Sequence, residues 1–246
     1  MRSQVRFSLL ALLVGAMLVV SAPAAQAAFG ITEFFAGNCK KATCTKVTPV
    51  NELFTQAAGH PNFGITDFTL NGLGTVEGNG VKTIRTDVPV GISTNPQALP
   101  QCSLVDFNAN LKKAEANHCN TNTEVGTQKV TIFTGGLPVE LTGTVYNLDP
   151  TTAAPPLHIP LYFGIDINTG VEHVHSFLEG FVSWHHEAEA EQEGIASGDY
   201  HEFFKISVPN SFAEGSPPIA GSRLSFKGNV GKGLLTNPSA CPGPQT

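Results

Sequence analysis

The chain has 246 residues and a formal net charge of −6, with 14 Lys and Arg against 20 Asp and Glu. A surface of that sign repels a phosphate backbone, so nucleic acid is excluded as an expected partner. Charged residues are 14% of the chain while Gly (25) and Pro (17) are plentiful, too apolar for a disordered chain and too rich in turn formers for a helical bundle.

The chain opens with Arg2 and Arg6, an apolar stretch from Phe7 to Val20, Pro23, and then Ala25-Gln26-Ala27. That order of basic, apolar and small residues is a secretory signal, with cleavage expected after Ala27 and a mature chain of 28–246. The apolar run is shorter than the ~20 residues that span a bilayer, and no later segment is apolar enough to cross. The expectation is therefore a secreted, extracytoplasmic domain with no stable transmembrane anchor after cleavage. No Cys near the cleavage point would carry a lipid.

A hexapeptide recurs as Phe29-Gly-Ile-Thr-Glu-Phe34 and Phe63-Gly-Ile-Thr-Asp-Phe68. Two copies do not make a solenoid, so they read as two strands of similar role, an N-terminal strand pair over residues 28–70. Cys39 and Cys44 lie between them. In an exported chain disulfides are the expected state of Cys39–Cys44 and Cys102–Cys119, leaving Cys241 unpaired, although spacing alone does not prove this connectivity. A zinc site at Cys39 and Cys44 is less favoured, because no second Cys or His pair stands at a suitable spacing.

Turn chemistry follows at Gly78-Asn79-Gly80, before Val81. Residues 103–117 then read as one short helix, with Ser103 as capping hydroxyl and Leu104, Phe107 and Leu111 at helical spacing. Gly135-Gly136 turns Val130–Thr134 back into a strand with Val139, Leu141 and Val145 inward and Glu140, Thr142 and Thr144 outward. Leu161, Phe163, Ile165 and Ile167 alternate with Tyr162, Gly164 and Asp166, which predicts a strand with one buried face. Tyr200, Phe204, Ile206 and Val208 repeat that pattern, as do Leu224 and Phe226. The fold class expected is all-β, sandwich or jelly-roll-like, in one domain.

The densest chemical cluster spans residues 170–202. His173 and His175 share a strand face and, with Glu179, spell His-x-His-x3-Glu, similar to a fragment of the first cupin metal motif; the motif's leading glycine is Ile167 and its closing glycine His186. Metal-ligand candidates are thus His173, His175, Glu179 and His185, set against an ordinary polar surface. His201-Glu202-Phe203-Phe204-Lys205 lacks the second His of a zinc-protease helix and reads as strand. Acids at Glu187, Glu189, Glu191 and Glu193 read as a charged edge or loop. There is no nucleophile elbow, phosphate loop or dinucleotide fingerprint, so no catalytic residue and no cofactor is assigned. Trp184 is the only tryptophan, too little for an aromatic sugar platform.

Several further stretches fall in order: Gln56-Ala-Ala-Gly-His-Pro61, Pro89-Val-Gly-Ile92, Asn95-Pro-Gln-Ala-Leu-Pro-Gln-Cys102, Asp106-Phe107, Cys119, Val125-Gly-Thr127, Val145-Tyr-Asn-Leu148, Gly198-Asp-Tyr200 and Leu235-Thr-Asn-Pro-Ser-Ala-Cys241. Over most of residues 54–241 the chain resembles the N-terminal unit of large exported proteins of actinobacterial relatives, which have no assigned activity. The resemblance implies export and a β-rich fold. It also implies that a partner for Cys241 would lie in a continuation of the chain, so the thiol is left over where the unit stands alone. The Cys39–Cys44 loop and the His/Glu-rich stretch at 185–193 depart from that family. The expected function is an exported structural or adhesive interaction module of unknown ligand, with a cell-envelope or extracellular partner and no catalysis. The alternative is a metal-binding protein or metal-dependent enzyme using the cluster at 173–187. A third reading is a small-ligand binder with an apolar pocket between sheets.

Overall fold

The repeated hexapeptides become neighbouring strands. In the computed structural model, which describes residues 30–70, 81–111, 113–155, 157, 159–184, 200–208 and 218–240, strand β1 (Ile31–Cys39) pairs antiparallel with β2 (Phe63–Leu70), Phe34 opposite Phe68. The N-terminal strand pair expected from the repeat is thus present. The later strands are β3 (Thr83–Asp87), β4 (Ser93–Thr94), β5 (Cys102–Ser103), β6 (Glu124–Thr134), β7 (Leu137–Asp149), β8 (Leu161–Asn168), β9 (His173–Trp184), β10 (Tyr200–Ser207), β11 (Ile219–Lys227) and β12 (Leu235–Thr236). The signal segment, Gly78-Asn79-Gly80, His185, the acids of 187–193 and Cys241 lie outside the described residues.

The long strands form one antiparallel sheet in the order β1-β2-β11-β6-β7-β8-β9-β10-β3, with β5 joined in parallel to the end of β7 and a separate pair β12-β4. Sheets this wide curl, because each strand is rotated against its neighbour in the same sense. Extra residues at Ile31/Glu33, Glu124/Gly126 and Ile219/Gly221 add local bends. The result is an all-β domain whose sheet faces itself across an apolar interior, built from Val130, Ile132, Val145, Phe163, Ile165, Leu178, Phe204 and Phe226 among others. The β6–β7 hairpin turns at Gly135 (φ 58°) and Gly136 (φ 82°), left-handed conformations that glycine adopts without strain. Its tip runs past the core, so Val139 is exposed and Leu141 half-buried.

Strand β8 departs from the one-sided pattern expected of it: residues 161–167 are buried on both faces. The second face is roofed by the Cys102–Cys119 loop. There Phe107, Leu104, Cys102, Tyr146, Leu148 and Tyr162 form a second apolar cluster. The loop carries helix α1 (Leu104–Phe107), one turn only, capped by the Ser103 hydroxyl accepting from Asp106 N. The longer helix expected over 103–117 stops there because asparagines compete with the ladder. Asn108 caps the turn, Asn110 adopts φ 60°, and Asn110 Nδ2 donates to Ala116 O. His118 N then donates to Asp106 O, taking a carbonyl that a continuing helix would have used.

Both expected disulfides are present. Cys39–Cys44 closes a tight loop at the end of β1, and Cys102–Cys119 closes the loop over β8. Arg223 on β11 ties the first loop to the sheet, donating to the carbonyls of Ala42 and Cys44 and to Asp67 Oδ2.

Candidate functional site

His173 and His175 do share one face of β9, as the strand period requires, and they meet a carboxylate from β8. His173 Nδ1–H donates to Asp166 Oδ1 at 2.6 Å, and Asn117 Nδ2 donates to Asp166 Oδ2 at 2.7 Å. His175 Nε2 stands 3.5 Å from the same Oδ1, an electrostatic contact rather than a well-formed hydrogen bond, with its ring tilted against Phe107 at 4.4 Å. Burial by itself would raise the Asp166 carboxyl. The interactions with His175 and His173 outweigh it and hold the group below the usual carboxylate value.

This cluster pins the disulfide loop to the sheet. Glu179 does not join it: four residues along the strand from His175 is about 13 Å, with Phe177 between. Glu179 instead lies opposite Tyr162, whose hydroxyl burial first, and the Glu179 charge second, push up to about 12. Among the described residues no group of three or more His, Cys, Asp or Glu side chains is arranged to hold a metal ion. His185 lies outside the described residues.

His201 and Glu202 sit on β10, a strand as expected, pointing to opposite faces. His201 Nε2–H donates to Asp87 Oδ1 at 3.0 Å on β3, beside Arg85, whose guanidinium pairs with Asp87 and lies 4.2 Å over the Phe203 ring. Burial would raise Asp87, but hydrogen bonds from Arg85 and His201 prevail and lower it. Glu202 is 9% exposed, its Oε1 accepting from Thr94 N at 2.9 Å and its Oε2 buried without a partner. Desolvation raises this carboxyl despite the Thr94 bonds.

An apolar space for binding lies inside the sheet. A cavity of about 160 Å³ is walled at once by the two ends of the strand order: Ala36, Ile65 and Phe68 from β1 and β2 on one side, Ile84, Phe204 and Ile206 from β3 and β10 on the other. Alternation puts the side chains of Ala36, Phe68, Ile84, Phe204 and Ile206 on the concave face, whereas Ile65, of opposite parity, turns its side chain to the Cys39–Cys44 cluster. The curl brings β1 toward β3 without joining them in the strand order. Ala36 and Pro89, one from each bank, are the wall residues most open to solvent, so the cavity opens along that seam. A separate, smaller cavity of about 30 Å³ lies behind it, with Ile84, Ile206 and Ser222 as shared walls and Gln128 on β6 and Ser176 on β9 also lining it. Among the described residues no Lys, Arg or His lines either space.

The sequence motifs did not point to this cavity, since apolar wall residues look like core until the curl leaves room between them. Compared with known proteins, the chain matches no family model, no curated protein and no solved structure. Among the described residues no helix is long and apolar enough to cross a membrane.

Proposed function

We propose that the chain is an exported, non-catalytic interaction module that holds a small apolar molecule inside its curled sheet. The observation that carries this reading is the apolar cavity between the two sheet ends, open at Ala36 and Pro89. Its volume is close to the ~150 Å³ at which an apolar cavity in a protein core takes up benzene, and its open side admits the end of a longer molecule. Export is supported by the basic-apolar-small N-terminus and by two paired cysteine loops. The resemblance to units of exported actinobacterial proteins points the same way.

The test is the fluorescence of N-phenylnaphthylamine, an uncharged dye that brightens in apolar surroundings. Residues 28–246 should enhance its emission saturably. Ile84→Trp, at a half-buried edge-strand position shared by both cavities, should abolish the enhancement while leaving the far-ultraviolet circular dichroism unchanged. Equal enhancement by wild type and Ile84→Trp would place the dye elsewhere and defeat the proposal.

A further inference from the structure

The inner cavity holds a polar side chain where the strand pattern calls for an apolar one. Along β6, Val130 and Ile132 point into the core, and the same alternation carries Gln128 inward, where it is 2% exposed. Its amide nitrogen is fully used, Nε2 donating to Ser222 Oγ at 2.6 Å and to Lys129 O at 3.2 Å. The Lys129 carbonyl, which can only accept, assigns the nitrogen end of the amide, since the Ser222 hydroxyl would suit either end, and Oε1 is left facing no donor. A buried acceptor without a partner is destabilising, so a core position would ordinarily carry Leu or Val instead. Ser222 accepts from Gln128, and its own hydroxyl proton is available to donate. Gln128 lines the smaller cavity and Ser222 lines both, so the pair presents one acceptor and one donor where the two apolar spaces share a wall.

Resting on the binding reading above, we propose that Gln128 and Ser222 form a recognition point for a neutral hydroxyl group on the apolar ligand, which donates to Gln128 Oε1 and accepts from Ser222 Oγ–H. A hydroxyl is the smallest group that does both. An ionised carboxylate or phosphate is disfavoured, because among the described residues no Lys, Arg or His lines either space and the chain is net acidic. An amine would satisfy Oε1 but would enter as a buried cation. The specificity follows from asymmetry: a ligand lacking the hydroxyl leaves both polar atoms unpaired, whereas one carrying it satisfies them.

The test compares para-butylphenol with para-butyltoluene, which match in shape and differ in a hydroxyl against a methyl, by displacement of N-phenylnaphthylamine from residues 28–246. Wild type should bind the phenol at least about tenfold more tightly. Gln128→Leu, which keeps the side-chain bulk and removes the orphan acceptor, should erase that preference and leave para-butyltoluene bound as well or better. Ser222→Ala, a smaller change, should reduce the preference independently. Equal affinity of wild type for the two compounds, or a preference that survives in both variants, would overturn the hydroxyl assignment while leaving the cavity reading standing. Failure of both compounds to displace the dye would remove the cavity reading, and this assignment with it.

Discussion

The seat of Phe107 on β8 makes a stability prediction that can be worked from the contacts. The Phe107 ring is 0% exposed and packs on His175, Tyr146 and Phe177. Beneath it lies Gly164, where an added Cβ would come under 3.0 Å from three carbons of that ring. Phe107→Ala removes a fully buried aromatic and should cost about 3–5 kcal/mol. Gly164→Ala forces a packed ring off its seat and should cost about 1–3 kcal/mol. In the double variant the ring is gone and the new methyl enters the space it left. The Gly164→Ala cost should then vanish, giving a coupling of about 1–3 kcal/mol between the two sites. Urea unfolding of the four proteins under oxidising conditions measures it, with unchanged slopes confirming that only stability moved. Additivity within about 0.5 kcal/mol would show that the ring does not rest on Gly164, and the roofing of β8 would have to be redrawn.

Two further outcomes follow from the same architecture. Because burial raises the Glu202 carboxyl above its ordinary 4.5, the folded chain keeps a proton that the unfolded chain has already lost. Stability from this group is full below the ordinary value and is lost as pH rises through the raised one. Glu202→Gln should therefore raise the melting temperature at about pH 7.5 and leave it little changed at about pH 4; a larger gain at the acid end would contradict the sign. The disulfides close loops of 17 and 5 residues in sequence separation, for which chain entropy gives about 3 and about 2 kcal/mol. Replacing Cys102 and Cys119 together by Ala should thus lower the urea midpoint more than replacing Cys39 and Cys44, and the reverse order would point to native-state packing as the governing effect.

The strands were legible in the sequence wherever apolar residues alternate, because a sheet with a core on one side writes period two into the chain. The repeat at 29–34 and 63–68 marked two strands that turned out to be neighbours, and Gly135-Gly136 marked the hairpin between β6 and β7. The helix after Cys102 was read too long: apolar spacing at Leu104, Phe107 and Leu111 was visible, but Asn108 and Asn110 ended it at one turn. The second burial of β8 was hidden because its roof comes from residues 102–119, far away in sequence. His173 and His175 announced themselves, yet their partner Asp166 passed as an outward strand residue. Gln128 was in view only through parity: counting back by twos from Ile132 and Val130 lands on it, a polar residue in an apolar register. No local pattern reports the space beside it, which depends on how far the whole sheet curls.

A strand with oil on both sides has no wet face to tell it which way up to lie, so sliding β8 by one position against β7 and β9 would expose nothing greasy. What forbids the slip is what each residue refuses. Moved by one, Asp166 would turn its charge into the cluster around Phe163 and Phe226, away from His173 and Asn117, and a bulkier neighbour would replace Gly164 under the Phe107 ring. One carboxylate and one missing side chain thus act as the key that lets this central strand lock in a single alignment.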